Sequence, residues 1–311
     1  MTHLPHELLR SGAIRISAAV GEALANGRPV VALESTIFSN LGLPAPANAD
    51  ALHRCQEVLR AAGVEPAVTA VLDGVARVGL APDEEQRVLG ATAKLAERDL
   101  AVAMAQGIEA GVTTVSATVA LAHAAGISVF ATGGIGGVHR GVESTWDISA
   151  DLDALAHHPV ITVCAGAKAF LDLPKTLEYL ETVGVPVLGW RHDWFPAFYS
   201  RSSGLPVPHR VETTREVVAV LRNRVRPDTG VLLTTPIPEE HELDAVELQT
   251  KLDAALAAAT AEGLTGAAVT PFILGRIEQE TAGESIPANV ALALNNARLA
   301  AQVANELASG S

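Results

Sequence analysis

GVTTVSATVALAHAAGISVFATGGIGG, residues 111–137, carries no Asp, Glu, Lys or Arg. A run of this length without charge is long enough to span a membrane. Its many Gly, Ala, Thr and Ser residues and its internal pattern point elsewhere. Thr118 to Ala125 reads as a helix, and Ile127 to Ala131 as a strand that stops at a glycine-rich loop. The stretch is one buried helix–strand step of an α/β fold. Val160 to Cys164 repeats the form, a strand closing on Ala165-Gly166.

Outward from this centre the alternation continues. Pro29 to Glu34 reads as a buried strand and Asn48 to Ala62 as a helix, with Leu52, Cys55, Val58 and Leu59 at helical spacing. Val68 to Leu80 reads as two strands turning at Asp73-Gly74, the chemistry of a tight hairpin. Lys175 to Thr182 is expected as helix, Val185 to Gly189 and Val231 to Thr235 as strands. Long helices are expected over Leu243 to Glu262, Pro271 to Thr281 and Ala288 to Leu307. Alternation of this kind predicts an α/β layer fold with a largely buried sheet. No Gly/Ser linker, low-complexity tract or fixed-period repeat divides residues 1–311, so one domain is expected.

Composition narrows the function classes. The formal net charge is −13, which works against polyanion-binding surfaces, so neither nucleic acid nor anionic membrane is an expected partner. Aromatic residues make up only 4%, too few for stacking-based single-strand recognition. Cys55 and Cys164 stand alone, outside any CxxC or Cys/His cluster, which argues against structural zinc and for a reducing cytoplasm. The segment Met1 to Arg10 lacks the basic end and apolar run of an export signal. There is no HExxH, GxSxG or SxxK.

Binding sites in open α/β sheets gather beyond the strand ends, and the chemically capable residues fall there. Among 22 basic residues only Lys94, Lys168, Lys175 and Lys251 are lysines. An amine retained in an arginine background suits work that guanidinium cannot do, because it can lose a proton and attack a carbonyl. Lys168 follows a strand in a local sequence nearly free of charge, where desolvation is expected to favour the neutral nucleophile. A lysine whose stem lies on apolar surface is the plain alternative. Glu34 ends an apolar strand, where burial fits a carboxyl for proton transfer; a place in the first turn of a helix capped by Ser35 or Thr36 is the alternative. Gly133 to Gly141 matches neither the dinucleotide nor the Walker A pattern, yet it is expected to offer backbone N–H groups to an anion, with His139 and Arg140 as cationic donors. Asp147 and Asp151 are four apart and supply the hard oxygen donors that Mg²⁺ or Mn²⁺ prefers, although such residues also cap helices. His157-His158 and His192-Asp193 are expected as solvated loop residues, and Lys175 and Lys251 as helix-surface cations.

These segments together resemble the pseudouridine-5'-phosphate glycosidase family, which also contains the indigoidine synthase A proteins. The resemblance rests on VALESTI at 31–37, TTV at 113–115, FATGGIGGVHRG at 130–141, DISADL at 147–152 and VCAGAK at 163–168. It continues through LEYLE at 177–181, PAFYSR at 196–201, PIPE at 236–239, TPF at 270–272 and NNARLAA at 295–301. The resemblance implies a three-layer α/β/α sandwich around a largely parallel or mixed sheet. It implies reversible cleavage of pseudouridine 5'-phosphate to uracil and ribose 5-phosphate by a cytoplasmic homotrimer with Mn²⁺ or another divalent metal. By position, Lys168 matches the family's Schiff-base nucleophile, Glu34 its proton donor and Asp147 its metal ligand. Lys94, Thr114, Val115, His139, Ser149, Ala150, Asp151 and Asn289 match groups lining the substrate site. Another Schiff-base phosphosugar lyase and a non-catalytic sugar-phosphate binder of the same fold are the alternatives. Two segments depart from the family pattern. Phe38 to Pro44 has an extra residue and no histidine, and Ala96-Glu97-Arg98-Asp99 replaces a more basic run.

Overall fold

Short runs of Val, Ile and Leu that are buried along their whole length lie side by side at the centre of the molecule. The computed structural model describes residues 4–264, 269–281 and 283–310. Its strands, in chain order, are β1 (Ile14–Ile16), β2 (Val30–Leu33), β3 (Glu65–Leu72), β4 (Val75–Val78), β5 (Ala93–Leu95) and β6 (Ala110–Thr113). They continue with β7 (Val129–Ala131), β8 (Ile161–Cys164), β9 (Val187–Trp190), β10 (His209–Val211) and β11 (Val231–Thr234). The main path of the 11-stranded sheet runs β1-β4-β3-β2-β7-β8-β11-β9-β10. Every pairing is parallel except those of β3 with β4 and with β6.

Strands β2, β7, β8 and β11 are buried at every residue, which requires cover on both faces. The helix Ser285–Ser309 packs on β2, β7 and β8 and against the helix Ala47–Ala61. The helix Val115–Ala125 packs on β2 and β7 together with Ala150–His157. A continuous core of buried aliphatic side chains runs from Ile14 to Ala304. The uncharged stretch 111–137 lies inside it, and no helix among the described residues is long and apolar enough to cross a membrane.

The expected hairpin turn is present: Asp73 and Gly74 have φ of 51° and 70°, the left-handed pair that a two-residue hairpin turn demands. Strand β3 is longer than the pattern suggests because it has two sets of partners. Glu65–Val68 pairs with β2, and Thr69–Leu72 pairs with β4 while Ala70–Leu72 also meets β6. The helix expected from Thr118 begins three residues earlier at Val115, after Thr114 in extended backbone. Strands β1, β5, β6 and β10 and the helix Ala150–His157 have no clear sequence signal; these strands are short and none is buried along its whole length, so no continuous apolar run marks them.

Candidate active site

Because the central strands run parallel, the ends of β2, β7 and β8 open on the same side of the sheet, and a cavity of about 770 Å³ lies there. Glu34, Lys94, Thr114, Val115, His139, Asp147, Ser149, Ala150, Asp151, Lys168 and Asn289 all line it. The far wall is apolar: Leu256 and Ala259 come from the helix Ala245–Ala261, Val269 and Leu274 from Val269–Glu280.

Glu34 follows β2 and is outside any helix, so it is not a first-turn residue. Its side chain is buried, and one carboxylate oxygen, Oε1, accepts a hydrogen bond from the Thr132 hydroxyl. Burial raises its pKa above the usual 4.5; the Lys168 charge, the Thr132 hydroxyl and Lys94 oppose that shift, and Asp151 reinforces it. Lys168 is half-buried, with Nζ donating to the Gly134 carbonyl at 3.2 Å. Its sequence neighbours are uncharged, but folding brings Glu34, Lys94 and His139 within electrostatic range. Burial lowers the pKa of Lys94 on β5, with the Lys168 charge adding to the effect and Asp151 and Glu34 opposing it.

Asp151 organises this end of the cavity. Oδ1 accepts from the Ser116 N–H at 2.9 Å and Oδ2 from the Gly136 N–H at 2.8 Å, so one buried carboxylate ties a helix N-terminus to the glycine loop. Each of its oxygens thus accepts one backbone N–H. Asp147 lies 3.8 Å from His139, whose pKa is lowered chiefly by burial, against the pull of Asp147. Among the described residues no three of His, Cys, Asp or Glu converge as a metal cluster. Asp147 with His139 is a sparse donor set, suited only to a hard cation that keeps much of its water.

Part of the glycine loop is closed to an anion, while Gly133, Gly134, His139 and Arg140 line the cavity. The N–H groups of Ile135, Gly136, Val138 and His139 are bonded to Gly166, Asp151, Thr176 and Asp147. Its glycines are needed for close packing. A Cβ on Gly134 would stand 2.5 Å from the Phe198 ring, one on Gly136 2.2 Å from the Ser149 hydroxyl, and one on Gly137 2.5 Å from that of Thr176. Thr114, Val115 and Ser116 at the start of Val115–Ala125 also reach the cavity; the Thr114 and Ser116 N–H groups are bonded to Leu95 and Asp151, and Lys94 and Arg98 are the cations beside them. Asn289 is buried at the wall, with Oδ1 lacking a partner among the described residues, an acceptor awaiting a donor.

The two departing segments separate in space. Leu41 and Gly42 face the cavity, whereas Asn40 is exposed and accepts from Asn48 at 3.3 Å. Glu97 turns to His158, at 2.8 Å, and Arg98 lines the cavity in its place. His158 is therefore not a solvated loop residue; it is half-buried and also meets the His123 ring at 3.1 Å. His192 is likewise half-buried, its Nε2 donating to the Thr234 carbonyl at 3.0 Å. Lys175 is paired with Asp172 and Glu143, and Lys251 with Glu247. Cys55 and Cys164 are free and buried, with thiol pKa values pushed up to about 12 by desolvation, so neither is a nucleophile. Sequence reading passed over Thr132 and Asn296; hydroxyls and amides are common in loops and helices, and only their partners distinguish these two.

A lysine amine and a buried carboxyl of raised pKa in one cavity at the ends of parallel strands mark the active site of an α/β enzyme. Comparison with known proteins agrees. A pseudouridine-5'-phosphate glycosidase of Methylobacterium nodulans is 52% identical over 306 residues, covering 97% of this chain and 88% of its own. One from Caldanaerobacter subterraneus subsp. tengcongensis is 48% identical, covering 94% and 96%. The solved structure of the prealnumycin C-glycosynthase AlnA, in complex with ribulose 5-phosphate, superposes with a TM-score of 0.87 at 35% identity, covering 96% of this chain and 97% of its own. The family described as indigoidine synthase A like protein matches residues 19–306, and the chain belongs to that family.

Proposed function

We propose that this chain reversibly cleaves pseudouridine 5'-phosphate to uracil and ribose 5-phosphate through an iminium on Lys168. The observation that carries the reading is the meeting of Lys168 with Glu34, a carboxyl whose pKa burial raises, in one cavity. The relatives named pseudouridine-5'-phosphate glycosidase support the substrate.

The chemistry asks for these groups. Ribose C1' is joined to uracil C5 by a carbon–carbon bond, so there is no heteroatom leaving group for a simple carboxylate pair to protonate. Glu34 gives its proton to the ring oxygen as that oxygen leaves C1', and the neutral Lys168 amine bonds to C1'. The bonded nitrogen returns a proton to the Glu34 carboxylate, and the lone pair this frees forms the C=N bond while the C1'–C5 bond breaks, its electron pair passing to uracil C5, which takes the proton from Glu34. Water adds to C1', the amine departs, and ribose 5-phosphate is released. The phosphate is held by Lys94, which fixes the sugar for reaction at its other end. Asp147, with His139 beside it, would hold a divalent cation such as Mn²⁺, which supplies positive charge for the substrate's anionic group. The family resemblance further supports a homotrimer working in the cytoplasm, a setting in which two free cysteines persist.

Borohydride reduction in the presence of ribose 5-phosphate, followed by peptide mass mapping, is expected to label Lys168. Lys94 is the informative competitor because it lines the same cavity and burial makes its amine easier to deprotonate. An adduct on Lys94 alone, or on no lysine, overturns the mechanism. Consumption of uracil with ribose 5-phosphate separates this reaction from another phosphosugar lyase using the same lysine.

A further inference from the structure

The NNARLAA segment at 295–301 lies in the middle of the helix Ser285–Ser309, well away from the reacting amine in sequence, and the mechanism above gives it no role. Its two asparagines hold strand ends. Asn295 Nδ2 donates to the Pro236 carbonyl at 3.2 Å, just past β11. Asn296 is fully buried, and its Nδ2 donates to two successive carbonyls, Thr132 at 2.7 Å and Gly133 at 3.2 Å, just past β7. Asn296 Oδ1 has no partner among the described residues. Flipping the amide would set that oxygen against two carbonyl oxygens, so its orientation is fixed.

The residue so pinned is Thr132, whose hydroxyl donates to Glu34 Oε1. We propose that Thr132, anchored by Asn296, is the positioning residue of the proton donor: it occupies one oxygen of Glu34, leaving Oε2 as the oxygen that carries and delivers the proton. A carboxylate oxygen already accepting a hydrogen bond from a buried hydroxyl is the poorer site for a proton, and Oε2 has no protein partner among the described residues. The same two-carbonyl clamp orients the loop that presents the Gly134 carbonyl to Lys168 Nζ. One buried asparagine therefore fixes acid and nucleophile together. The charged groups that act on Glu34 are Lys168, Lys94 and Asp151, and none of them is removed by substitutions at 132 or 296.

This inference rests on Glu34 being the proton donor, and the test separates the two ideas. The rate of uracil consumption with ribose 5-phosphate is measured against pH for the parent, Thr132→Val, Thr132→Ser, Asn296→Ala and Glu34→Gln. Thr132→Val is expected to lower kcat about tenfold with KM for ribose 5-phosphate unchanged, a fraction of what a general acid supplies. It is also expected to move the limb set by Glu34 to higher pH, because the hydroxyl that favours the carboxylate is gone. Thr132→Ser restores both. Asn296→Ala shifts the limb in the same direction. If Thr132→Val does not fold, Thr132→Ser against Thr132→Ala gives the same contrast, since they differ only in the hydroxyl. A parent-like profile and kcat in Thr132→Val, or a Thr132→Ser variant as impaired as Thr132→Ala, overturns the positioning role. An active Glu34→Gln variant overturns the proton-donor reading instead.

Discussion

Asp151→Asn isolates the carboxylate that joins two halves of the cavity. In the parent, one oxygen holds the Ser116 N–H and the other the Gly136 N–H, both at ordinary hydrogen-bond length in a buried setting. Hydrogen bonds from a charged acceptor contribute about 1.5–3 kcal/mol each. The asparagine keeps one acceptor but turns its amide N–H₂ toward the other backbone N–H, so one bond is lost and one donor is left buried without a partner. The expected cost is about 2–4 kcal/mol. At roughly 2 °C per kcal/mol for a chain of this size, the melting temperature falls by about 4–8 °C. Differential scanning calorimetry reads the shift directly, and initial rates with ribose 5-phosphate report whether the cavity has lost its shape. An unchanged melting temperature together with a raised KM would refute the clamp and make Asp151 a substrate ligand.

Other perturbations test neighbouring links. Burial raises the folded pKa of Glu34 above 4.5, so the stability tied to its proton is full below the unfolded value and lost as pH rises through the folded one. Glu34→Gln is therefore expected to melt above the parent, with a gap that widens as pH rises past 4.5 before levelling; a gap independent of pH contradicts burial as the cause. Gly134→Ala drives a Cβ to within 2.5 Å of the Phe198 ring and is expected to cost about 1–3 kcal/mol, with Phe198→Leu recovering part of it in denaturant titrations. Lys94→Met should raise KM for ribose 5-phosphate much more than for unphosphorylated ribose; an equal effect on both removes Lys94 from the phosphate. Asp147→Ala should abolish any activation of apo-protein by Mn²⁺ without altering borohydride trapping at Lys168, and undiminished activation would remove Asp147 as the metal ligand.

Much of the centre of the fold is legible in the chain because its central strands are buried on both faces and stand out as apolar runs between helices. Glu34 and Lys168 are legible for the same reason: each is a reactive side chain just beyond such a run. The edge strands are not. Lys94 lies on β5, a three-residue strand held by its pairing with β6, and no local period announces it. The glycine loop shows a second demand that sequence does not reveal, since its glycines are also required for close packing against Phe198, Ser149 and Thr176.

The sequence by itself determined the α/β core with its buried central sheet and set Glu34 and Lys168 just past strand ends, because burial patterns and strand-end positions are local properties. Only the tertiary structure decided how those groups are governed. Asp151, Thr132 and Asn296 act through hydrogen bonds to partners 15 to 164 residues distant in the chain. Such partners are chosen by the crossing of the helices and strand ends at the cavity, and residue type alone carries no record of that crossing.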